Sequence, residues 1–411
     1  MSDQRAADLI YDWNTVEDYP APPHPIEFDD ETLRDGLQCP SVQAPALDER
    51  IRLLHLMHDL GIHYANVGLP GAGPHVVDMV TKLVTEIRDS KLDIEPNCAA
   101  RTIEADIRPV AEIVQKTGVP IEVCTFIGSS RIRAYTEDWS IDTMLQHSRK
   151  ALKFAEAEGL NVMFVTEDTT RAHPDILRAL YGEALQSPAT KRLCFCDTVG
   201  HSIPQGAVNM IKWGVDLVKE SGRTDVKIDW HGHMDRGLGV PNTIAALQAG
   251  AHRVHGTALG IGERAGNCPM DQLLVNLKLT GWIDNDLSKL GDYVETTSRS
   301  TGVPVPVSYP VFGRDAFETG TGVHAAAVIK AQNKGDEWLA NRVYSGVPAD
   351  MVGLSQIIRV GPMCGKSNVI HWLLNNDYTA DDDRVERIFA AAKDSRGLLE
   401  DDELHGLAKG S

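Results

Sequence analysis

Apolar residues along this chain fall into short runs that alternate with longer stretches of helical spacing. Runs rich in β-branched or aromatic residues, each closed by a turn signal, predict strands at Ile26–Asp29, His63–Val67, Leu92–Asn97, Pro120–Thr125, Asn161–Thr166, Arg192–Asp197, Val226–Trp230 and Arg253–Gly256. Between them the period changes. In ALDERIRLLHLMHDLG, residues Leu53, Leu56, Met57 and Leu60 share one helical face and Gly61 ends it. SIDTMLQHSRKALKFAEAEG repeats the device, with Ser140 as N-cap and Gly159 as the stop.

Strand–helix repeats at about 30-residue spacing predict an α/β fold, a (β/α)8 TIM barrel. An open doubly wound sheet is the alternative, but no G-x-G-x-x-G follows the first strand. The pattern places an N-terminal arm at residues 1–25, the barrel at 26–282 and a smaller, mostly helical region at 283–411, within which Pro304, Pro306 and Pro310 mark a hinge.

Composition narrows the partners. A net charge of −18 argues against nucleic acid or an anionic membrane, while leaving room for a small anionic ligand in a local basic site. No run approaches the roughly 20 apolar residues needed to span a bilayer. The first residues carry acids early and lack the apolar core of a secretory signal. The cysteines, seven in number and scattered apart from Cys194 and Cys196, fit neither a disulfide framework nor a zinc ribbon. They read as free thiols in a reducing compartment, and the expected location is cytoplasmic.

In such a barrel the chemistry sits at the C-terminal ends of the strands. Strand one runs into Arg34 and Asp35, strand five into Glu167 and Asp168, strand six into Asp197 and Thr198. Strand seven ends in HGHMD, with His231 and His233, and the loop after strand eight reads GIGERAGN, from Glu263 to Asn267. His231 and His233 are two apart, so on a strand they face the same side. Two imidazoles, one carboxylate and an amide oxygen make a mixed nitrogen–oxygen set for a divalent metal with open positions. An H-x-H pair alone is weak evidence, since strand-end histidines often face only solvent. Asp35 and Asn267 at the same mouth strengthen the metal reading. Arg34 beside that site suits an oxyanion that develops on a metal-bound oxygen. Its bland reading is an ion pair with Asp29, Asp30 or Glu31.

DETLRDGLQ, EDTTR, DTVG, HGHMDRGLGVPN and GIGERAGN, in this order, resemble the metal-dependent barrel family that contains 2-isopropylmalate and homocitrate synthases. PVPVSYPVFGRDAFETGTGVHAAAVIK resembles the segment that carries a catalytic histidine in that family. The resemblance implies catalytic roles for Arg34, Glu167, His324 and Tyr344, substrate binding by Gln38, Thr198 and Glu263, and a metal held by Asp35, His231, His233 and Asn267. It implies magnesium, manganese or zinc as the metal, acetyl-CoA as co-substrate and a homodimer with shared active sites. The activity it implies is a Claisen condensation of acetyl-CoA with a 2-oxo acid, followed by thioester hydrolysis, as in 2-isopropylmalate synthase. Proton traffic is left open between Glu167 and His324.

Departures from the family shape the expectation. Leu37 stands where synthases commonly have glutamate, and RDGLQ is also how the related 3-hydroxy-3-methylglutaryl-CoA lyase reads. The cysteine that this lyase needs before the asparagine is here Ala258, and Asn66 replaces an acid often found after strand two. An end at Ser411 leaves no room for a leucine-sensing domain. Met163 occupies the position of the arginine with which homocitrate synthases grip a distal carboxylate. A 2-oxo acid with a small or branched apolar group is therefore expected, 2-oxoisovalerate first, unless Arg131 or Arg133 replaces the missing charge. A homocitrate or citramalate synthase, a lyase and a non-catalytic ligand-binding regulator on the same scaffold are the competing readings.

Overall fold

Eight parallel strands pair in sequence order, and the last closes on the first: β1 Glu27–Asp30, β2 Tyr64–Asn66, β3 Glu95–Arg101, β4 Glu122–Gly128, β5 Val162–Glu167, β6 Thr190–Asp197, β7 Lys227–Gly232 and β8 Arg253–Gly256. These strands form a closed TIM-type barrel. The computed structural model describes residues 2–15 and 20–410. Two units are distinguished, Met1–Leu273 with Thr280–Asp284, and Leu274–Leu279 with Asn285–Ser411.

The helices begin and end where the sequence signals stand. Leu47–Asp59 buries Leu53, Leu54, Leu56 and Met57, and Gly61 follows it in the left-handed region at φ 71°. The Ser140 hydroxyl accepts the Thr143 N–H at 3.1 Å and caps Ile141–Ala157. β3 and β4 are displaced from their expected bounds, running on to Arg101 and Gly128. In β3 the extension passes through Cys98, Ala99 and Ala100, all buried. Small side chains fit a crowded barrel interior but carry little strand signal.

The floor of the barrel is ionic. Arg253, fully buried, donates to Asp229 at 2.7 Å and to Glu122 at 2.6 Å. Arg192 donates to the other Asp229 oxygen at 3.1 Å and pairs with Glu27, which also binds Lys227. Asp29 accepts both its bonds from Asn97 Nδ2, each 2.9 Å. Charges buried this deeply persist only when paired in this way, and the paired layer lies within the strands that carry the mouth.

At the entry to β8, His252 Nδ1 accepts the Ile228 N–H at 3.1 Å, and its ring stacks on His24 with centroids 4.0 Å apart. Burial, then the neighbouring His24 ring, hold His252 down to about 4. An unfolded histidine titrates near 6.5, so the stability this arrangement contributes is complete above about pH 6.5 and is lost as pH falls toward about 4. His252→Asn keeps an acceptor but cannot titrate. Urea unfolding should show that it loses about 1 kcal/mol less than the parent between pH 7 and pH 5, after discounting for partial exposure. Equal losses in both proteins would contradict the assignment.

Of the N-terminal arm, Ser2–Leu9 is helical and Trp13–Thr15 forms a 3-10 turn, while residues 16–19 lie outside the described residues. Among the described residues no helix is long and apolar enough to cross a membrane. The second unit is mostly helical, with Val369, Trp372, Leu373 and Ile388 in one of its cores. It also holds a two-stranded parallel pair, Glu318–Thr319 with Ile357–Ile358. Within it His324, on the helix Gly322–Asn333, stacks on Tyr344 with ring centroids 4.1 Å apart.

Candidate active site

The chain leaves β1 through a tight turn in which the Asp30 carboxylate accepts the Thr32 N–H at 2.8 Å, and the Arg34 and Gly36 N–H groups donate to the Glu31 carbonyl. This turn sets Arg34 and Asp35 at the lip of a cavity of about 290 Å³ at the C-terminal ends of the strands. Asp35 is buried. Its Oδ2 lies 3.3 Å from His231 Nε2, 3.8 Å from His233 Nε2 and 3.6 Å from Arg34 Nη1.

The two imidazoles face each other, Nε2 to Nε2, at 3.2 Å. His233 Nδ1 donates to the Gly266 carbonyl at 3.1 Å, so its Nε2 is the lone-pair nitrogen. His231 turns Nδ1 toward Glu31 Oε1, at 3.5 Å, which likewise directs Nε2 inward. Asn267 comes from the GIGERAGN loop and bridges to His233 along the backbone. Gly266 has φ 89°, and a Cβ there would overlap the Gly260 carbonyl, so glycine is required to bring Asn267 in. Asn267 Nδ2 donates to the Ile261 carbonyl at 3.2 Å, while its Oδ1 is buried with no hydrogen-bond partner.

Two converging imidazole nitrogens, a carboxylate and an orphaned amide oxygen form a donor set that a divalent cation would complete by displacing the proton that the nitrogens share. Asp35, His231 and His233 present ligand atoms within 4.8 Å of one another. Burial pushes Asp35 up, but the Arg34 guanidinium and the two imidazoles more than reverse this and hold it well below the usual carboxylate range. Burial, then the neighbouring His231, lower His233 to about 4, which keeps it neutral and able to donate a lone pair.

Arg34 answers both readings of its sequence position. One Nη forms an ion pair with Glu31, yet its Nε is buried without a partner. Asn66 Nδ2, also in the cavity wall, is a second buried donor without a partner.

Glu167 ends β5 at the cavity, and burial raises its carboxyl against the opposing pull of Arg133 and Arg34. Thr198 lines the same cavity, with its hydroxyl accepting the Asp168 N–H at 2.8 Å. Gln38 and Glu263 line it as well, the Glu263 side chain 57% exposed. Asp168 and Asp197 are structural. Asp168 grips Arg171 through two bonds of 2.7 and 2.8 Å, and Asp197 accepts the His201 and Ser202 N–H groups.

Arg133 turns toward the mouth, but its charge is divided between Glu137 at 3.0 Å and Glu167 at 3.8 Å. Neither Arg133 nor Arg131 lines the 290 Å³ cavity, whose guanidiniums are Arg34 and Arg264, the latter held by Asp235 at 2.8 Å. Among the strand residues that line it, Ala99, Cys124, Phe126, Met163, Val165 and Cys194 form the apolar and sulfur-bearing part.

From sequence, Glu31 enters only as an ion-pair partner of Arg34, and His255 does not enter at all. His255 Nδ1 lies 2.8 Å from Glu31 Oε1 and its Nε2 3.3 Å from Asp229, which ties the ionic floor to His231 and the mouth. The signal was present: His255 sits two residues after Arg253 on β8 and so faces the same interior.

Fold and mouth together define a class, a (β/α)8 barrel with a nitrogen–oxygen donor set at its catalytic end. The chain belongs to the HMGL-like family, whose model matches residues 25–296. It is 30% identical to a probable 2-isopropylmalate synthase from Archaeoglobus fulgidus, over 90% of this chain and 69% of that protein. It is 29% identical to a putative (R)-citramalate synthase from Methanopyrus kandleri, with the same shares covered. A homocitrate synthase from Methanopyrus kandleri is 28% identical, over 92% of this chain and 91% of that protein. Among solved structures, hydroxymethylglutaryl-CoA lyase from Pseudomonas aeruginosa shares the fold at a TM-score of 0.57 and 19% identity, covering 68% of this chain and 93% of its own.

Proposed function

We propose that this protein catalyses a divalent-metal-dependent Claisen condensation of acetyl-CoA with a 2-oxo acid, followed by thioester hydrolysis, to give a 2-alkylmalate of the 2-isopropylmalate type. The carrying observation is the convergence of Asp35, His231, His233 and the orphaned Asn267 oxygen beside Arg34. Relatives described as 2-isopropylmalate, citramalate and homocitrate synthases support the reaction class. Those four residues would hold a divalent cation, which when bound polarises the 2-oxo carbonyl as a Lewis acid.

The remaining work belongs to the chain. Thr198 and Gln38 orient the carboxylate of the oxo acid. Arg34 presents a buried, unpaired Nε–H to the oxygen on which negative charge develops as the acetyl carbanion attacks. Glu167, with its raised carboxyl, is the barrel's own group for moving a proton near the acetyl methyl.

The side chain of the oxo acid meets the wall of Ala99, Phe126, Met163 and Val165. A distal carboxylate there would be desolvated with no free cation among the described residues beside it, and an unpaired buried charge is costly. The preferred substrate is therefore a monocarboxylic 2-oxo acid with a small or branched apolar group. Comparison of kcat/KM for 2-oxoisovalerate, pyruvate, oxaloacetate and 2-oxoglutarate tests this, with 2-oxoisovalerate expected to lead both dicarboxylic acids by at least about tenfold. A preference for oxaloacetate or 2-oxoglutarate that Arg133→Ala or Arg131→Ala abolishes would show that the anchor is an arginine after all.

A further inference from the structure

The cavity wall carries a feature that the proposed condensation does not use. Cys124, Met163, Cys194 and Cys196 form one buried cluster, and all four line the cavity. Two of the sulfurs are engaged elsewhere: Cys124 Sγ donates to Asn97 Oδ1 at 3.2 Å, and Met163 Sδ accepts from Arg253 at 3.1 Å. Cys194 and Cys196 stand two residues apart on β6, face the same side, and place their Sγ atoms 3.8 Å apart.

At that distance one thiol donates to the other, and the same separation suits two thiolates on one cation. A tetrahedral ion with metal–sulfur bonds of about 2.3 Å holds neighbouring sulfurs about 3.8 Å apart. A disulfide fits less well, because extended backbone sets the two Cα atoms about 6.6 Å apart, near the upper end of what a disulfide spans. We infer that Cys194 and Cys196 form a two-thiolate site for a thiophilic d10 divalent cation, separate from the nitrogen–oxygen set at Asp35, His231 and His233.

Binding breaks two S–H bonds, forms two metal–sulfur bonds and releases two protons to solvent. The product carries no net charge, so an apolar wall accommodates it without an unpaired ion. Thiolates select soft cations, whereas the carboxylate, amide and imidazole donors nearby also suit harder ones. Cys196 is the register partner of His231 across β6 and β7, so the two sites are neighbours. An ion on the thiols would narrow the wall that receives the side chain of the oxo acid. This inhibitory consequence rests on the proposed reaction; the binding itself does not.

The test uses the full chain, equilibrated with magnesium and titrated with cadmium(II), read by the ultraviolet thiolate-to-cadmium charge-transfer band. One equivalent should develop the band in the parent and equally in His233→Ala, which lacks a nitrogen–oxygen ligand. Cys196→Ala, and the isosteric double variant Cys194→Ser with Cys196→Ser, should weaken cadmium binding by at least about tenfold. Cys39→Ser and Cys364→Ser should leave it unchanged. Melting curves of the metal-free proteins confirm that the variants are folded, and the single variant decides the matter if the double does not fold. No band in the parent at stoichiometric cadmium, or a band of full intensity in folded Cys196→Ala, would overturn the inference.

Discussion

Arg34→Lys is expected to lower kcat by about 10²-fold or more while leaving metal content unchanged. Lysine preserves the positive charge beside Asp35 and Glu31, so the field that holds Asp35 ionised survives. The planar fork is lost, and with it the arrangement in which one nitrogen binds Glu31 while the buried Nε–H remains free for substrate. An effect on KM alone would mean that Arg34 binds ground state and transition state equally. Steady-state kinetics with parallel metal analysis separates these outcomes. An unchanged kcat would leave only the ion-pair role.

His233→Ala should remove metal and activity together, with metal affinity and turnover each reduced by at least about 10²-fold at limiting metal. The ring is buried, neutral, and oriented by the Gly266 carbonyl, so its deletion removes a lone pair that no neighbour replaces. The metal-free variant should melt below the metal-free parent yet stay folded, because deletion of the buried ring also removes its bonds to the Gly266 carbonyl and to His231. Metal content after dialysis, activity and a melting curve on one preparation test all three points. Full activity after exhaustive chelation would remove the metal from the account.

Much of this architecture was legible in periodicity, because a parallel barrel repeats one unit and each unit carries local signals. Ser140 and the glycines at 61 and 159 mark helix ends through their own backbone chemistry, and they do so in the fold. The mouth was legible for a related reason: strand ends are local, and His231 and His233 stand at the end of β7 while Asp35 stands in the turn that follows β1. The ionic floor was not legible. Arg192, Arg253, Asp229, Glu122 and Glu27 come from five different strands, and only barrel closure makes them neighbours. Read singly, each looks like a surface charge. Arg133 shows the same limit, since its turn toward Glu167 depends on where the helix Arg131–Thr136 packs, which spacing alone does not specify.

The most direct measurement of the central claim is release of free CoA from acetyl-CoA, followed with and without a 2-oxo acid and with and without added divalent metal. CoA release should require both additions, with 2-oxoisovalerate the best acceptor and a 2-alkylmalate as the co-product. No release with any of the four oxo acids, together with cleavage of 3-hydroxy-3-methylglutaryl-CoA to acetyl-CoA and acetoacetate, would contradict it and make the protein a lyase.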